Sequence, residues 1–277
     1  MSVDLPDPSS GPSPVPGPGC GSCSQLRSSP LITHGVEATS DNIMVALAGN
    51  PNTGKSTVFN ALTGLRQHVG NWPGSTVSRA EGTYEFSGRA FTVVDLPGTY
   101  SLLSTSRDED VARDFLLFGD PQVTVVVVDA TRLQRNLNLV LQVLQVTGRV
   151  VVALNLMDEA HRHGIEVDVR HLTRELGVPV VAMSARRGEG VPELLRQVSD
   201  VACGVWPAMP VRTQRLPHTV ARATDELAAR LLEEFPGLSN ARWLALRLLE
   251  GDQSTEKAVE DGRVWDLVRR PTVRRAG

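Results

Sequence analysis

Lysine is almost absent from this 277-residue chain. Of its 28 basic residues, 26 are arginines, and only Lys55 and Lys257 are lysines. Arginine supplies positive charge nearly everywhere, so a lysine raises a question of geometry; Lys257 is read as an incidental survivor of a compositional bias. Cysteine is scarce as well. Cys20, Cys23 and Cys203 are too few for a disulfide scaffold and fit a reducing compartment. A charge excess is missing too: the net charge of −3 gives no electrostatic case for non-specific nucleic-acid binding. No apolar run approaches the roughly 18 residues of a transmembrane helix, and valine-rich Val123–Val128 has only strand length. These residues are therefore not expected to cross a bilayer. The N-terminus has no basic start followed by an apolar core, so no secretory signal is expected. What remains, 41% hydrophobic and 21% charged, is ordinary for a soluble globular protein of one large or two modest domains.

Residues 1–40 have a different texture. Seven of the 18 prolines fall in the first 30 residues, mixed with Gly and Ser. Such a segment buries too little apolar surface to offset its ordering entropy, which predicts a disordered tail. From Ile43 onward, β-branched runs of strand length at Ile43–Ala48, Ala90–Val94, Val123–Val128, Val150–Leu154 and Pro179–Met183 alternate with helical patterns near Ser56–Leu62, Asp110–Phe118, Leu133–Val146, Val169–Leu176 and Pro192–Ala202. That alternation predicts an α/β fold, a mostly parallel sheet with helices on both faces. Val77–Phe86, joined to Ala90–Val94 through Ser87-Gly88-Arg89, predicts a hairpin that adds an antiparallel edge. After about Val205 only helical patterns remain, at His218–Phe235, Asn240–Leu249 and Ser254–Val268. The expected division is a nucleotide-binding domain at 41–204, a small all-α domain at 205–270 and a basic tail at 271–277.

Gly49-Asn50-Pro51-Asn52-Thr53-Gly54-Lys55-Ser56 matches the phosphate-binding loop G-x-x-x-x-G-K-[ST], with Thr57 following. A buried strand ends at Ala48 and a helical pattern opens at Lys55, as the chemistry requires. Glycines let the backbone curl so that N–H groups face phosphate oxygens, and the helix N-terminus adds its positive end. Lys55 would reach the β- and γ-phosphates as a compact point charge, which a planar guanidinium does less well. Ser56 would give its hydroxyl to Mg²⁺.

Three weaker motifs follow later strands. Asp95-Leu96-Pro97-Gly98 places a carboxylate where it can hold a Mg²⁺-bound water, and the Gly98 N–H where it can sense a γ-phosphate. In Asn155-Leu156-Met157-Asp158, the aspartate can accept from the N1–H and N2–H₂ edge of guanine, whereas adenine would leave that carboxylate unpaired. Asn155 would brace the phosphate loop and the base. Ser184-Ala185-Arg186 puts the Ala185 N–H where it could meet guanine O6. Each is weak alone. Their order, each behind a predicted strand, is that of a P-loop GTP-binding fold working with GTP/GDP and Mg²⁺.

The segment Val69-Gly70-Asn71-Trp72-Pro73-Gly74-Ser75-Thr76-Val77 with Glu81-Gly82, the loop GNPNTGKST, the run DLPGTYSL and NLMD together resemble the FeoB family, ferrous iron transport protein B. Arg242–Asp252 resembles the signature of that family's helical domain, which is likened to a guanine-nucleotide dissociation inhibitor. The resemblance covers about residues 42–270. It implies a GTPase (GTP + H₂O to GDP + phosphate) at the cytoplasmic face of a bacterial plasma membrane, regulating Fe²⁺ uptake. The partner it implies is a transmembrane domain missing from this chain. It leaves room for a homo-oligomer and for small cytosolic Feo accessory proteins, with no nucleic acid. Thr76 matches the switch threonine whose hydroxyl binds Mg²⁺, and Asn52 the asparagine that helps hold K⁺ in potassium-activated members. Catalytic roles then fall on Lys55, Asn52, Thr76 and Gly98. After Gly98 comes Thr99 rather than a water-orienting glutamine, so slow intrinsic turnover is expected, with residues 99–108 as a second switch.

Cys20 and Cys23 lack the further ligands a zinc site needs and read as incidental thiols. His161 and His163 read as solvated, and His68 has no evident partner. Trp72 is either a mobile aromatic cap in the first switch or a small-core anchor; its Pro and Gly neighbours favour the mobile role. The pairs Arg269-Arg270 and Arg274-Arg275 read as a solvated terminus, with anionic lipid contact as the alternative. One rival reading is a translation-factor-related GTPase that binds RNA in ribosome assembly, although the appended helices carry no basic face. Another is an ATP-using P-loop enzyme, which the Asp158 argument opposes. Titrated against the chain, mant-GTP is expected to bind and mant-ATP to leave the fluorescence unchanged; equal affinities would restore the ATP reading.

Overall fold

The computed structural model describes residues 42–64, 67–72, 77–103, 106–119, 121–206, 216–236, 238 and 240–260. The predicted tail at 1–40 with Cys20 and Cys23, the switch residue Thr76 and the basic pairs near the C-terminus lie outside the described residues. Among the described residues, seven strands form one sheet: β1 (Asn42–Gly49), β2 (Gln67–Asn71), β3 (Ser78–Phe86), β4 (Arg89–Asp95), β5 (Val123–Asp129), β6 (Val150–Asn155) and β7 (Val180–Ala182). Their spatial order is β2-β3-β4-β1-β5-β6-β7. Strands β4, β1, β5, β6 and β7 run parallel, and β2 and β3 add the antiparallel edge.

The central strands read as nearly unbroken apolar runs because both of their faces are covered. Along β1, Met44, Ala46 and Ala48 pack on one side, while Ile43, Val45 and Leu47 pack on the other. Helices α1 (Lys55–Thr63) and α6 (Val191–Ala202) cover the second face. The first is covered by α2 (Arg107–Phe118), α3 (Leu133–Val146), α4 (Met157–Arg162) and α5 (Val169–Leu176). Three more helices follow, α7 (His218–Glu234), α8 (Ala241–Leu249) and α9 (Gln253–Glu260). Leu231, Trp243 and Leu244 from these helices join the same apolar cluster as α2 and α3.

A buried cation fastens this junction. Arg113, only 2% exposed, pairs with Asp110 at 2.9 Å and Asp114 at 2.8 Å on its own helix, and with Asp252 just before α9 at 3.7 Å. Such a guanidinium is tolerable inside only because carboxylates surround it. Ser106 caps the start of α2: its Oγ accepts from the Glu109 N–H at 3.3 Å.

Two features depart from the sequence reading. Strand β2 was not anticipated; its side chains are mostly exposed, so it carries no apolar alternation to read. Trp72 corrects the mobile role favoured above. It is 4% exposed, with its ring edge-on to Phe115 of α2 at 5.3 Å and the Arg79 guanidinium 5.0 Å above it. The indole is held by side chains of α2 and β3, which its immediate neighbours in sequence do not reveal.

Leu154, fully buried on β6, tests the packing. Leu154→Ala is expected to lower the unfolding free energy by about 2–5 kcal/mol in urea titration. Val69→Ala, at a position 77% exposed on β2, is expected to change it by less than about 0.5 kcal/mol.

Candidate functional site

The loop between β1 and α1 is shaped by three tight positions. At Gly49 a Cβ would lie 2.8 Å from the Val127 carbonyl oxygen, so β1 can sit this close to β5 only as glycine. Asn52 (φ 65°) and Gly54 (φ 78°) are both left-handed and reverse the chain. The Thr53 hydroxyl donates to the Asn50 carbonyl at 2.9 Å and closes the turn. Helix α1 then begins without a side-chain cap and without an acidic residue in its first turn. Its first N–H groups are thus left to a ligand or water, a setting that favours an anion.

Lys55 and Asp95 form an ion pair at this point, with side chains 11% and 16% exposed. Burial pushes the Asp95 carboxyl above the usual carboxylate range; the neighbouring Lys55 ammonium opposes that shift without cancelling it. Asp95 ends β4, beside Leu47 of β1. Gly98 packs against Pro51, 3.4 Å from where its Cβ would stand, and the Thr99 N–H donates to the Gly49 carbonyl at 3.2 Å. The DxxG turn therefore lies directly on the phosphate loop. Thr99 itself is 2% exposed. Its hydroxyl donates to the Ser101 carbonyl and lies 3.3 Å from Glu109 Oε1 of α2, so it is directed inward. Gln142 of α3 accepts from the Leu102 N–H at 2.6 Å and from the Ser101 hydroxyl at 3.1 Å.

Asn155 joins the two ends of the site. Its Nδ2 donates to the Thr53 carbonyl at 3.0 Å, and its Oδ1 accepts from the Ala185 N–H at 3.0 Å. The Ala185 N–H, expected to face a base carbonyl, is thus engaged with Asn155 here. Leu156 takes a left-handed conformation (φ 62°), unusual for a leucine, and turns β6 into α4. Asp158 sits in the first turn of α4, where its N–H donates to the Ser184 hydroxyl at 3.2 Å. Arg186 is exposed. Arg187, not singled out in the sequence, stands 3.5 Å from the Asp158 carboxylate.

The structure thus brings residues 49–57, 95–98, 155–158 and 184–186 together at the C-terminal edge of the parallel strands. Asn52, Ser56 and Thr57 are exposed there. Both amide atoms of Asn50 are buried without a protein partner, a cost that a polar ligand or water reaching the loop would relieve. The Ser56 hydroxyl and Asp95 carboxylate are oxygen donors suited to a hard divalent cation. A phosphate ligand and Mg²⁺ both fit this arrangement. Sequence reasoning missed Glu109, Gln142 and Arg187, because each acts across the fold and carries no local pattern.

With its folded pKa raised, Asp95 favours the folded state when protonated. That contribution is complete below about pH 4, the ordinary carboxylate value, and is lost as pH rises through the raised pKa. The unfolding free energy of the unmutated chain minus that of Asp95→Asn is therefore expected to fall as pH rises above about 4. Urea titrations at stepped pH check this; a difference rising with pH would mean that Lys55 outweighs burial.

The profile of the family described as ferrous iron transport protein B matches residues 43–198. The Fe(2+) transporter FeoB of Salmonella typhimurium is 42% identical over 214 residues, covering 76% of this chain and 27% of the relative. The chain thus spans about a quarter of the length of the curated relatives it matches. Among solved structures, the cytosolic domain of the T. maritima FeoB iron transporter in GDP form I is 36% identical with a TM-score of 0.70, covering 80% of this chain and 85% of that one. The same domain in its GMPPNP form is 36% identical with a TM-score of 0.69, covering 79% and 86%. No helix among the described residues is long and apolar enough to cross a membrane. The seven-stranded sheet, the loop geometry and these matches agree: this chain carries the P-loop G domain of FeoB and belongs to the ferrous iron transport protein B family.

Proposed function

We propose that this chain binds GTP and hydrolyses it to GDP and phosphate, as the switch of a ferrous iron transporter. The observation that carries the reading is Asn155, which ties the phosphate loop at Thr53 to the Ser184–Arg186 loop at Ala185. One nucleotide can therefore be held at both ends by a single rigid edge.

Lys55, its ammonium at the start of α1, takes the β- and γ-phosphates and leaves its pairing with Asp95. First-turn N–H groups of α1 donate to phosphate oxygens. Asp158 accepts from the guanine edge and gives the site its selectivity over adenine. Ser56, Asp95 and Thr76 would hold Mg²⁺, and Asn52 would hold K⁺. Bound there, the two cations supply positive charge against the charge that develops on the transferred phosphoryl group. Thr99 is directed toward α2, so the attacking water is oriented by backbone groups near Gly98, and turnover without a partner is slow. Hydrolysis releases the segments that GTP orders.

The proposed division is a G domain at 41–204 and a helical domain at 205–270 of the dissociation-inhibitor type, reporting to a transmembrane domain that carries Fe²⁺. The proposed setting is the cytoplasmic face of a bacterial plasma membrane. A homo-oligomer and small cytosolic Feo proteins are the further partners considered.

GTPase rate measured against K⁺, Na⁺ and Mg²⁺ tests the reading. K⁺ is expected to stimulate and Na⁺ not to. Asn52→Ala is expected to abolish that stimulation while changing mant-GDP affinity less than about threefold, under 1 kcal/mol. Equal stimulation by both cations would remove the K⁺ role, and failure to release phosphate with Mg²⁺ present would remove the hydrolase role.

A further inference from the structure

Arg187 bridges two carboxylates. Its Nε lies 3.5 Å from Asp158 Oδ2 and its Nη1 lies 3.8 Å from Glu189 Oε1. The three side chains are unequally placed: Asp158 is 18% exposed, against 57% for Arg187 and 62% for Glu189. The backbone beneath them is fixed. The Arg187 N–H donates to the Ser184 carbonyl at 2.8 Å, and the Ser184 N–H donates to the Glu189 carbonyl at 3.0 Å. Gly188 (φ 73°) and Gly190 (φ 79°) set the turn, and a Cβ at Gly190 would press on the Ala182 carbonyl at 2.5 Å. Any change in which carboxylate the guanidinium favours is therefore a side-chain movement between two anchored acceptors.

The chemistry of the two candidate partners of Asp158 is alike. A guanidinium offers a planar fork of N–H donors to a carboxylate. The N1–H and N2–H₂ edge of guanine is the same fork within a ring. Resting on the reading of Asp158 as the guanine acceptor, we propose that Arg187 is a positioning residue that competes with the base. It neutralises Asp158 when the base is absent and transfers to Glu189 when guanine takes the carboxylate. Arg187 thereby weakens guanine-nucleotide binding and speeds release. It does so equally for GDP and GTP, because the base end is common to both. Glu189 has the opposite sense, since it offers the guanidinium somewhere else to go.

The pair is largely solvent-facing, so the effect is modest and sensitive to salt. In stopped-flow release and equilibrium titration, Arg187→Ala is expected to slow mant-GDP release and tighten its Kd by about two- to fivefold at low salt. The same factor is expected for a non-hydrolysable mant-GTP analogue, and it shrinks as salt rises. Glu189→Gln is expected to speed release, and Arg187→Lys, which keeps the charge but loses the planar fork, to fall between Arg187→Ala and the unmutated chain. In the Arg187→Ala/Glu189→Gln double variant the Glu189 effect should vanish, which a merely structural role for either residue would not produce. Unchanged or faster release in Arg187→Ala, or a Glu189 effect that persists in the double variant, would overturn the proposal. Asp158→Asn separates the two levels of inference. It is expected to shift preference from mant-GDP to mant-XDP, and its failure to do so would sink the reading of Asp158 itself. A successful shift alongside an inert Arg187→Ala would sink only the competition.

Discussion

The side-chain amide of Asn155 holds this site together. It is 1% exposed at the end of β6 and uses both of its functional atoms on backbone groups from opposite ends of the molecule's working edge. The interlock is also steric. A Cβ at Gly54 would run into the Asn155 amide, so the left-handed turn that opens α1 and the amide that braces it depend on each other. Strand register supplies the rest. Gly49 is paired with Val127, and Asp129 with Asn155, so β5 and β6 end level with each other and β1 two residues earlier, and all three present their loops along one edge. Buried hydrogen bonds of this kind matter chiefly through the cost of losing one partner, which leaves the other desolvated and unpaired.

Charge is arranged with the same economy. Lys55 and Asp95 face each other where a nucleotide and its cation would engage them, so each keeps the other partnered in a partly buried place. Arg113 performs an unrelated task deeper in the fold, surrounded by three carboxylates where α2 meets the start of α9. Between these lies Thr99, bonded backward to Gly49 and directed toward Glu109 on α2. A chain of polar contacts thus runs from the phosphate loop into the helix that touches the C-terminal helices.

The parallel sheet was legible because strands covered on both faces must be apolar at nearly every position, as in Val125–Val128 and Val150–Leu154. The site loops were legible because phosphate chemistry constrains residues at fixed short spacings, as in Gly49–Ser56. Strand β2 was not, since Gln67, His68 and Asn71 sit on an edge whose side chains meet solvent and carry no burial pattern. The place of Trp72 is not legible from its neighbours in sequence, because Phe115 and Arg79 decide its environment. The same holds for Arg187: its meaning comes from Asp158, which no local pattern connects to it.

The scarcity of lysine has a chemical consequence beyond geometry. An acylating or reductively alkylating reagent finds just two side-chain amines in the whole chain. One, Lys257, stands exposed on α9; the other, Lys55, is 11% exposed and held by Asp95 at the mouth of the phosphate loop. The molecule therefore carries a nearly unique chemical handle inside its own nucleotide site, with a second, freely accessible amine as the internal standard against which its protection is read.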